Sequence, residues 1–237
     1  MSSIRKQSML GKLWINCRLL VHAQVDWLFV FFFYYFRLPF YHIDWALKKR
    51  YLLRTPNLIS EQYLRTQGLG ESFIYGATPL TSLAMIAKVC GLQPNNTVFD
   101  LGCGPGRSTF FLHALVGART IGIDIIPEFI NNANIVAKSL QISEIFFIQG
   151  DFRSINYNDA DVIYIYGTTF GKPLMRDLIF KFRRELSAGA KVITITKPLS
   201  DYDLVEEFEL VKTFSVRFPL GFCQVFLHVF RGKKQSQ

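Results

Sequence analysis

Cysteine is scarce in this sequence, and its spacing excludes two kinds of structural site. The 237 residues include 4 cysteines, which form neither a CxxC pair nor the spacing of a zinc site. The sequence therefore predicts no disulfide scaffold and no bound metal, and it favours a reducing compartment such as the cytoplasm.

Acidic residues are also few. The chain has 18 Asp and Glu against 27 Lys and Arg, which gives a net charge of +9. This excess favours an anionic partner, such as an acidic protein substrate, an anionic membrane or a nucleic acid. The basic residues are spread along the chain and form no motif for direct nucleic-acid readout, so a solvated basic surface is an alternative interpretation. The sequence leaves the oligomeric state open.

No unbroken apolar run is long enough to predict a membrane span. The run Trp27–Phe36 has ten residues, whereas a spanning helix needs about 20. Asp26 and Arg37 bound this run, and basic residues and tryptophans flank it, which is typical of a helix at the membrane interface. The alternatives are a helix buried against the rest of the protein and a true span. We expect residues 1–65 to form a helical hydrophobic extension, and a chain that starts near residue 60 to fold if that extension is an anchor.

Alternating strand and helix patterns begin after this extension and predict an α/β domain over residues 66–232. Such alternation implies a mainly parallel sheet with helices on both faces. Two further strand-like runs near the end of the chain predict an antiparallel hairpin. The predicted strands are 97–101, 119–123, 145–148, 160–166, 191–196, 210–216 and 224–230, and the predicted helices are 107–116, 127–139 and 173–186.

A glycine-rich turn follows the first predicted strand, in the sequence Asp100-Leu-Gly-Cys-Gly-Pro-Gly106. Glycine allows a ligand to approach the main chain closely, and open parallel sheets bind ligands at the carboxyl ends of their strands. The spacing is GxGxG and not the GxGxxG that serves a dinucleotide pyrophosphate. The Asp100 carboxylate would repel a pyrophosphate and suits a ligand with a cationic amino group. Candidate ligand-binding residues here are Asp100, Gly102, Cys103, Gly104 and Gly106, with Cys103 as a small filler rather than a nucleophile.

Two further aspartates follow the next two strands. Asp124 ends the second strand and can accept hydrogen bonds from both hydroxyls of a ribose. Asp151 follows the third strand and can accept one from an adenine amino group, with Phe152 packing on the ring. Each aspartate alone is more often a helix cap or a turn residue, but three at the ends of three successive strands favour a nucleoside site.

This pattern resembles the class I S-adenosylmethionine-dependent methyltransferases over roughly residues 72–230. The segment Asp100–Gly106 is similar to their glycine motif, Asp124 to their ribose-binding acid and Asp151 to their adenine-site residue. The resemblance implies S-adenosyl-L-methionine as the cofactor. It also implies a Rossmann-like seven-stranded sheet, mostly parallel, with an antiparallel C-terminal hairpin.

A finer resemblance concerns the acceptor. Tyr75-Gly-Ala-Thr-Pro79, the segment after the fourth strand and the later strands are similar to the non-SET lysine methyltransferases of the disruptor-of-telomeric-silencing type and their bacterial relatives. Small membrane-anchored lysine methyltransferases of mitochondria are similar too. Ala77 replaces a glutamate of the telomeric-silencing enzymes, and Tyr166-Gly167 replaces two asparagines. The resemblance implies a protein lysine as acceptor, a cofactor contact at Thr78, and a catalytic channel formed by Tyr75, Tyr166, Thr168 and Thr169.

The chemistry of methyl transfer places few demands on the protein. The sulfonium methyl moves by in-line displacement, so the protein has to align the reacting atoms and exclude water. An amine acceptor has to be neutral, and a desolvated aromatic channel lowers its pKa. Such aromatics are also typical of a sheet core. Two alternatives stay open, namely a methyltransferase for a small hydrophobic or lipid-like acceptor and a donor-binding membrane adaptor without turnover.

Overall fold

The computed structural model describes residues 9–36, 39–68, 76–167 and 170–232. Helices come first in these ranges, and strands and helices alternate after them. The elements are α1 (Met9–Val30), continued by a π-helical turn (Phe31–Tyr35), α2 (Phe40–Arg50), α3 (Pro56–Thr66), α4 (Leu80–Val89), β1 (Thr97–Leu101), α5 (Arg107–Val116), β2 (Arg119–Asp124), α6 (Pro127–Ser139), β3 (Ile145–Gln149), a 3₁₀ turn (Phe152–Ser154), β4 (Val162–Ile165), α7 (Lys172–Glu185), β5 (Lys191–Ile195), a second 3₁₀ turn (Leu199–Asp201), β6 (Phe208–Phe218) and β7 (Gly221–Phe230).

The seven strands form one sheet in the order β3-β2-β1-β4-β5-β7-β6. β1 to β5 are parallel, and β7 runs antiparallel between β5 and β6. The strand order changes direction between β1 and β4, so a crevice for ligands is expected at the carboxyl ends of these two strands. This architecture confirms the predicted Rossmann-like, mostly parallel sheet with an antiparallel C-terminal hairpin.

The central strands are mostly apolar and buried because helices cover both faces of the sheet. On one face, α4, α5 and α6 pack through residues such as Leu83, Phe110 and Ile130. On the other face, α7 packs through Leu178 and Phe182. The two cores fix the sheet rigidly and thereby the positions of the turns at its carboxyl edge.

The C-terminal hairpin is longer than predicted. β6 and β7 pair as far as Phe218 and Gly221, so the turn consists of Pro219 and Leu220. The sequence predicted that the first strand ends at residue 216 and the second begins at residue 224, because proline and glycine indicate a longer loop. The structure places both residues within or beside a tight turn, which extends the pairing to the end of the hairpin.

Two of the parallel strands are shorter than predicted. β4 begins at Val162 because Ala160 still belongs to a turn, in which its N–H donates to the carbonyl oxygen of Tyr157 (3.0 Å). β5 ends at Ile195 because Thr196 has a left-handed backbone with φ of 80°. These differences shift strand ends without changing which strands pair.

α1 contacts α4, and residues 17–36 of α1 and its π-helical continuation are mostly exposed. The stretch Cys17–Tyr35 has 19 residues, is long and apolar enough to cross a membrane, and is 11% buried. The apolar stretch of the helix is therefore longer than the run Trp27–Phe36, because it includes residues before Asp26. Val30 and Tyr35 are nevertheless buried against the domain, so the choice among an interfacial helix, a helix packed on the domain and a span stays a prediction.

α2 and α3 share hydrophobic cores with the α/β domain. Phe40 and Leu47 of α2 are buried in the same cluster as α4 and α5, and the Phe40 ring lies 5.1 Å from that of Phe111. Ile59 of α3 belongs to a smaller cluster with Phe129 of α6. The boundary after residue 65 stays a prediction, but the helices before it pack into the domain.

Candidate active site

The glycine turn connects β1 to α5 in a conformation that depends on its glycines. Gly102, Gly104 and Gly106 have positive φ angles of 81°, 54° and 84°. A Cβ atom at Gly106 would lie 2.5 Å from Cε1 of Phe147, so sterics also exclude a side chain there. Burial raises the pKa of the Cys103 thiol well above its usual value, so the residue stays protonated, in agreement with a filler role.

Asp100 lies at the carboxyl end of β1 and is almost fully buried, with 2% of its surface exposed. Its Oδ2 atom accepts hydrogen bonds from the hydroxyls of Ser108 (2.6 Å) and Thr109 (2.7 Å). Burial raises the pKa of Asp100 to about 6, and the two hydroxyl hydrogen bonds oppose that shift. A cation beside this carboxylate would favour its ionised form, so the site gains from a positively charged ligand.

Asp124 joins the end of β2 to the glycine turn. Its Oδ2 atom accepts a hydrogen bond from the N–H of Gly104, and its Oδ1 atom accepts one from the N–H of Ile126, each at 2.9 Å. Burial raises the pKa of this carboxylate. A carboxylate oxygen can accept more than one hydrogen bond, so Asp124 can both hold the turn and accept from a ligand hydroxyl.

Asp151 and Phe152 follow β3, as predicted, but their contacts are largely local. The Asp151 carboxylate caps the 3₁₀ turn by accepting from the N–H of Arg153 (2.9 Å), and it pairs with the Arg153 guanidinium (2.6 Å). The hydrogen bonds from Arg153 lower the pKa of Asp151. Phe152 is buried, and its ring lies 5.1 Å from that of Phe170. An adenine contact at these residues stays a prediction.

A cleft opens at the carboxyl ends of β1 and β4. It brings together five of the predicted site residues, Thr78, Asp100, Gly102, Cys103 and Tyr166. Five others lie outside its lining, namely Gly104, Gly106, Asp124, Asp151 and Phe152. The cleft therefore contains the acid of the glycine turn, while the acids predicted for a nucleoside lie further along the sheet edge.

Two tyrosines line the same cleft. The hydroxyls of Tyr164 and Thr78 are buried and lie 2.6 Å apart. The Tyr166 ring lies 5.2 Å from that of Phe218 in β6, and its Cε1 atom would be 3.2 Å from a Cβ atom at Gly76. Burial raises the pKa of both phenols, so both stay protonated near neutral pH.

Three predicted channel residues lie outside the described part of the chain. These are Tyr75, Thr168 and Thr169. Their roles stay predictions, and among the predicted catalytic residues the structure describes Tyr166.

Sequence analysis missed Arg107 and Asp44, which the structure connects to the cleft, as well as three other residues of the lining, Leu80, Ser108 and Tyr164. Arg107, the first residue of α5, lines the cleft. Its guanidinium binds the buried Asp44 carboxylate of α2, with Nε to Oδ1 at 2.6 Å. The position of Arg107 directly after the glycine motif could have indicated its place in the site. Nothing in the aromatic and basic sequence of α2 indicated that its one acid reaches the glycine turn.

Comparisons with known sequences agree with this geometry. The family profile of the ANTKMT methyltransferase domain matches residues 100–206. A sterol 24-C-methyltransferase from Gibberella zeae is 29% identical over 107 residues, which are 44% of this chain and 28% of that protein. A histone-lysine N-methyltransferase, H3 lysine-79 specific, from Dictyostelium discoideum is 25% identical over 136 residues, which are 52% of this chain and 7% of that protein. The chain thus spans well under two thirds of either relative's length.

Solved structures share the fold. An RNA methyltransferase from Salinibacter ruber in complex with S-adenosyl-L-homocysteine superposes with a TM-score of 0.56 at 20% identity, over 68% of this chain and 98% of that one. TrmN from Thermus thermophilus gives a TM-score of 0.55 at 18% identity, over 72% of this chain and 53% of that one. The family match begins at Asp100, and the chain has the fold of the class I S-adenosylmethionine-dependent methyltransferases, with this strand order and a glycine turn at the carboxyl edge of the sheet.

Proposed function

We propose that the protein transfers the methyl group of S-adenosyl-L-methionine to an acceptor that enters the cleft at the end of β4. The observation that carries this proposal is Asp100, a buried acid of raised pKa in the lining of the cleft. The donor's ammonium supplies the cation that this carboxylate favours. Gly102 lines the cleft without a side chain, and the Phe170 ring lies beside it, with Cζ 3.2 Å from where a Cβ atom of residue 102 would be. The residues of the lining therefore fit the charged end of the cofactor.

The chain's own residues would align the reactants and exclude water. When bound, S-adenosylmethionine supplies a methyl group that its sulfonium has already activated for displacement. Asp100 would hold the ammonium, and Asp124 would accept from the ribose hydroxyls with the lone pairs that Gly104 and Ile126 leave. Tyr164, which is hydrogen-bonded to Thr78, and Tyr166 line the cleft that an acceptor would enter. Alignment and exclusion of water are the main contributions that such a displacement needs.

A protein lysine is the acceptor that we favour. Tyr164 and Tyr166 line the cleft, and the face of an aromatic ring there attracts a lysine ammonium. Burial beside them would then lower the amine's pKa and favour its neutral, nucleophilic form. One relative is named as a histone-lysine methyltransferase, which supports this acceptor class. The net charge of +9 favours an acidic surface around the target lysine.

A small hydrophobic acceptor is the second candidate. It is favoured by the exposed apolar surface of α1, which contacts α4 next to the cleft, where Leu80 is part of the lining. Relatives named as sterol 24-C-methyltransferases and as a geranyl diphosphate 2-C-methyltransferase support the same class. An apolar acceptor would reach the cleft along that surface, whereas a lysine would reach it from the solvent.

We also propose that α1 contacts a membrane while the catalytic domain faces the cytoplasm. Leu20, Val21 and Phe32 are each more than 60% exposed, which is unusual for one helix of a soluble domain. Flotation with anionic vesicles should recover the wild-type protein and lose the variant Val21→Asp/Leu28→Asp. Leu204→Asp changes an exposed leucine on a distant loop and should float as the wild type does. Release by high salt indicates an interfacial helix, and resistance to alkaline carbonate indicates a span.

The deciding experiment measures donor binding and methyl transfer separately. Calorimetry should show binding of S-adenosyl-L-homocysteine to the wild-type protein and weaker binding to Asp100→Asn. Tritiated donor added to cell lysate should then label a protein fraction, with methylated lysine found by mass spectrometry. Label in the organic-soluble fraction alone would favour the hydrophobic acceptor. Binding without label in any fraction would favour a donor-binding adaptor.

A further inference from the structure

We infer that Asp44, in the N-terminal extension, positions Arg107 so that its guanidinium binds the carboxylate of the methyl donor. The extension would then be part of the donor site and not only an attachment to it. The inference rests on the proposed function, because it concerns the same cleft. It assigns a partner to the α-carboxylate of the donor's amino acid, whereas Asp100 is the proposed partner of the α-ammonium.

The contact between the two residues is bidentate. Arg107 donates from Nε to Oδ1 of Asp44 at 2.6 Å and from Nη2 to Oδ2 at 3.2 Å. Asp44 is 1% exposed, whereas the Arg107 side chain is 32% exposed. Arg107 lies directly after Gly106, at the start of α5, and lines the cleft. The buried acid therefore restrains an arginine that is partly exposed and lines the cleft.

Further groups hold the Asp44 carboxylate in place. Oδ2 accepts a hydrogen bond from the hydroxyl of Tyr35 and lies 3.0 Å from Nζ of Lys48. Burial alone would raise the pKa of Asp44, but the charge and hydrogen bonds of Arg107, with smaller contributions from Tyr35 and Lys48, lower it to about 2. The carboxylate is therefore ionised at physiological pH, and Arg107 is restrained by a partner that is itself fixed.

Arg107 has more donors than Asp44 uses. A guanidinium has five N–H groups, and Asp44 accepts from the Nε–H group and from one N–H group of Nη2. A planar donor pair of this kind suits a carboxylate. With Asp100 for the ammonium and Arg107 for the carboxylate, one cleft complements both charges of a zwitterionic amino acid.

Stability alone is a weak explanation for this pair. Buried ion pairs contribute little net stability, because desolvation of the charges offsets their attraction. If the ion pair had only a structural role, its removal would change the affinity for both ligands by the same factor. A pair that presents Arg107 to a carboxylate should discriminate between ligands that differ in that group alone, and this difference defines the test.

The test compares S-adenosylmethionine with decarboxylated S-adenosylmethionine, by calorimetry on the full chain. The wild type should bind the first about tenfold or more tightly, since a hydrogen bond to a charged group is worth roughly that factor. Arg107→Met should remove the preference, and Asp44→Asn should reduce it several-fold. In the double variant the Asp44 change should add little, because the two residues act through one contact.

Arg54→Gln is the matched control. Arg54 also joins the extension to the domain, through Glu128 of α6 at 2.9 Å, but it lies outside the cleft lining. Its variant should keep the wild-type preference. Thermal unfolding of each variant establishes that it is folded. If Asp44→Asn does not fold, Asp44→Glu displaces the same charge by one methylene and should lower the preference several-fold.

Each remaining outcome overturns part of the inference. Equal affinity of the wild type for the two nucleosides, or an unchanged preference in Arg107→Met, rejects the carboxylate contact. A full wild-type preference in a folded Asp44 variant rejects the positioning role. Absence of binding of either nucleoside to the wild type rejects the proposed function as well, which separates its failure from that of the inference.

Discussion

Asp26, within the apolar helix α1, accepts hydrogen bonds from both the main-chain N–H (3.2 Å) and the hydroxyl (2.5 Å) of Thr81. Thr81 lies in the first turn of α4, where the N-cap residue Pro79 makes no side-chain cap. One helix thus caps another, with a negative charge at the positive end of the helix dipole. The acid that interrupts the apolar sequence of α1 thus contacts the domain, while apolar residues such as Leu20, Val21 and Phe29 are exposed.

Asp26→Ala should lower the free energy of unfolding by about 0.5–2 kcal/mol, the usual cost of losing a helix cap. Glu61→Ala is the control, because Glu61 forms an exposed ion pair with Arg65 on α3, and such pairs contribute little. Urea denaturation followed by circular dichroism measures both variants. Equal loss of stability in the two would contradict the capping role.

Gly106→Ala should destabilise the domain more than Gly189→Ala does. Both glycines have positive φ angles, 84° and 94°, which strain any residue with a side chain. A Cβ atom at Gly106 would also collide with Phe147, whereas one at Gly189 would meet nothing within 4 Å. The difference between the two melting temperatures gives the effect of the collision with Phe147, because both variants have similar backbone strain. Identical shifts would show that backbone strain alone explains the glycine.

Asp124→Ala should weaken binding of S-adenosyl-L-homocysteine by about ten- to a hundredfold, since hydrogen bonds to a charged group are lost. Asp161→Ala is the matched control. Asp161 also accepts a main-chain hydrogen bond, from Thr97 at 2.7 Å, but it lies outside the cleft and the glycine turn. It should lower stability and leave affinity unchanged. Calorimetry that finds the same affinity in both variants would leave Asp124 a structural residue.

Donor affinity should depend on pH through Asp100. Burial raises its pKa from 3.8 to about 6, and a donor ammonium binds the ionised form. Below pH 6 binding has to release a proton, so affinity should fall by up to roughly tenfold per pH unit. The free energy of unfolding has the opposite pH dependence. The pKa of Asp100 is about 6 in the folded protein and 3.8 in the unfolded chain, so its contribution to stability decreases as the pH rises from 3.8 towards 6. Asp100→Asn should bind weakly with a flat profile, and a profile that parallels the wild type would exclude Asp100 as the source.

Removal of residues 1–60 should unfold the domain, contrary to the expectation from sequence. The truncation deletes Phe40 and Leu47, which are 0% and 3% exposed, and loss of each such side chain costs about 2–5 kcal/mol. A chain that begins at residue 39 keeps α2 and Asp44 but loses the buried Val30 and Tyr35 and the Asp26 cap, so it should fold with a lower melting temperature than the full chain and keep measurable donor affinity. Circular dichroism and calorimetry on the two chains decide the point. A folded, donor-binding chain from residue 61 would show that α2 is dispensable.

The parallel core was readable from sequence because its signals are local. The strand of Thr97–Leu101 and the helix of Arg107–Val116 have the predicted bounds, since apolar runs and glycine turns mark them directly. Strand ends near Ala160 and Pro219 were misplaced. A main-chain hydrogen bond in one case and a tight turn in the other decided them, and neither has a distinct sequence signal.

Some residues of the candidate site were also predictable from sequence, and others were not. The sequence alone identified Asp100 and the glycines after it, because the turn and its acid are contiguous and their chemistry depends on residue type. Only the tertiary structure connected Asp44 to Arg107, residues 63 positions apart, and paired Asp26 with Thr81. Each of these contacts joins a helix of the extension to a helix of the domain. Their partners are chosen by how hydrophobic faces pack, and packing across the chain leaves no periodic pattern that a sequence displays.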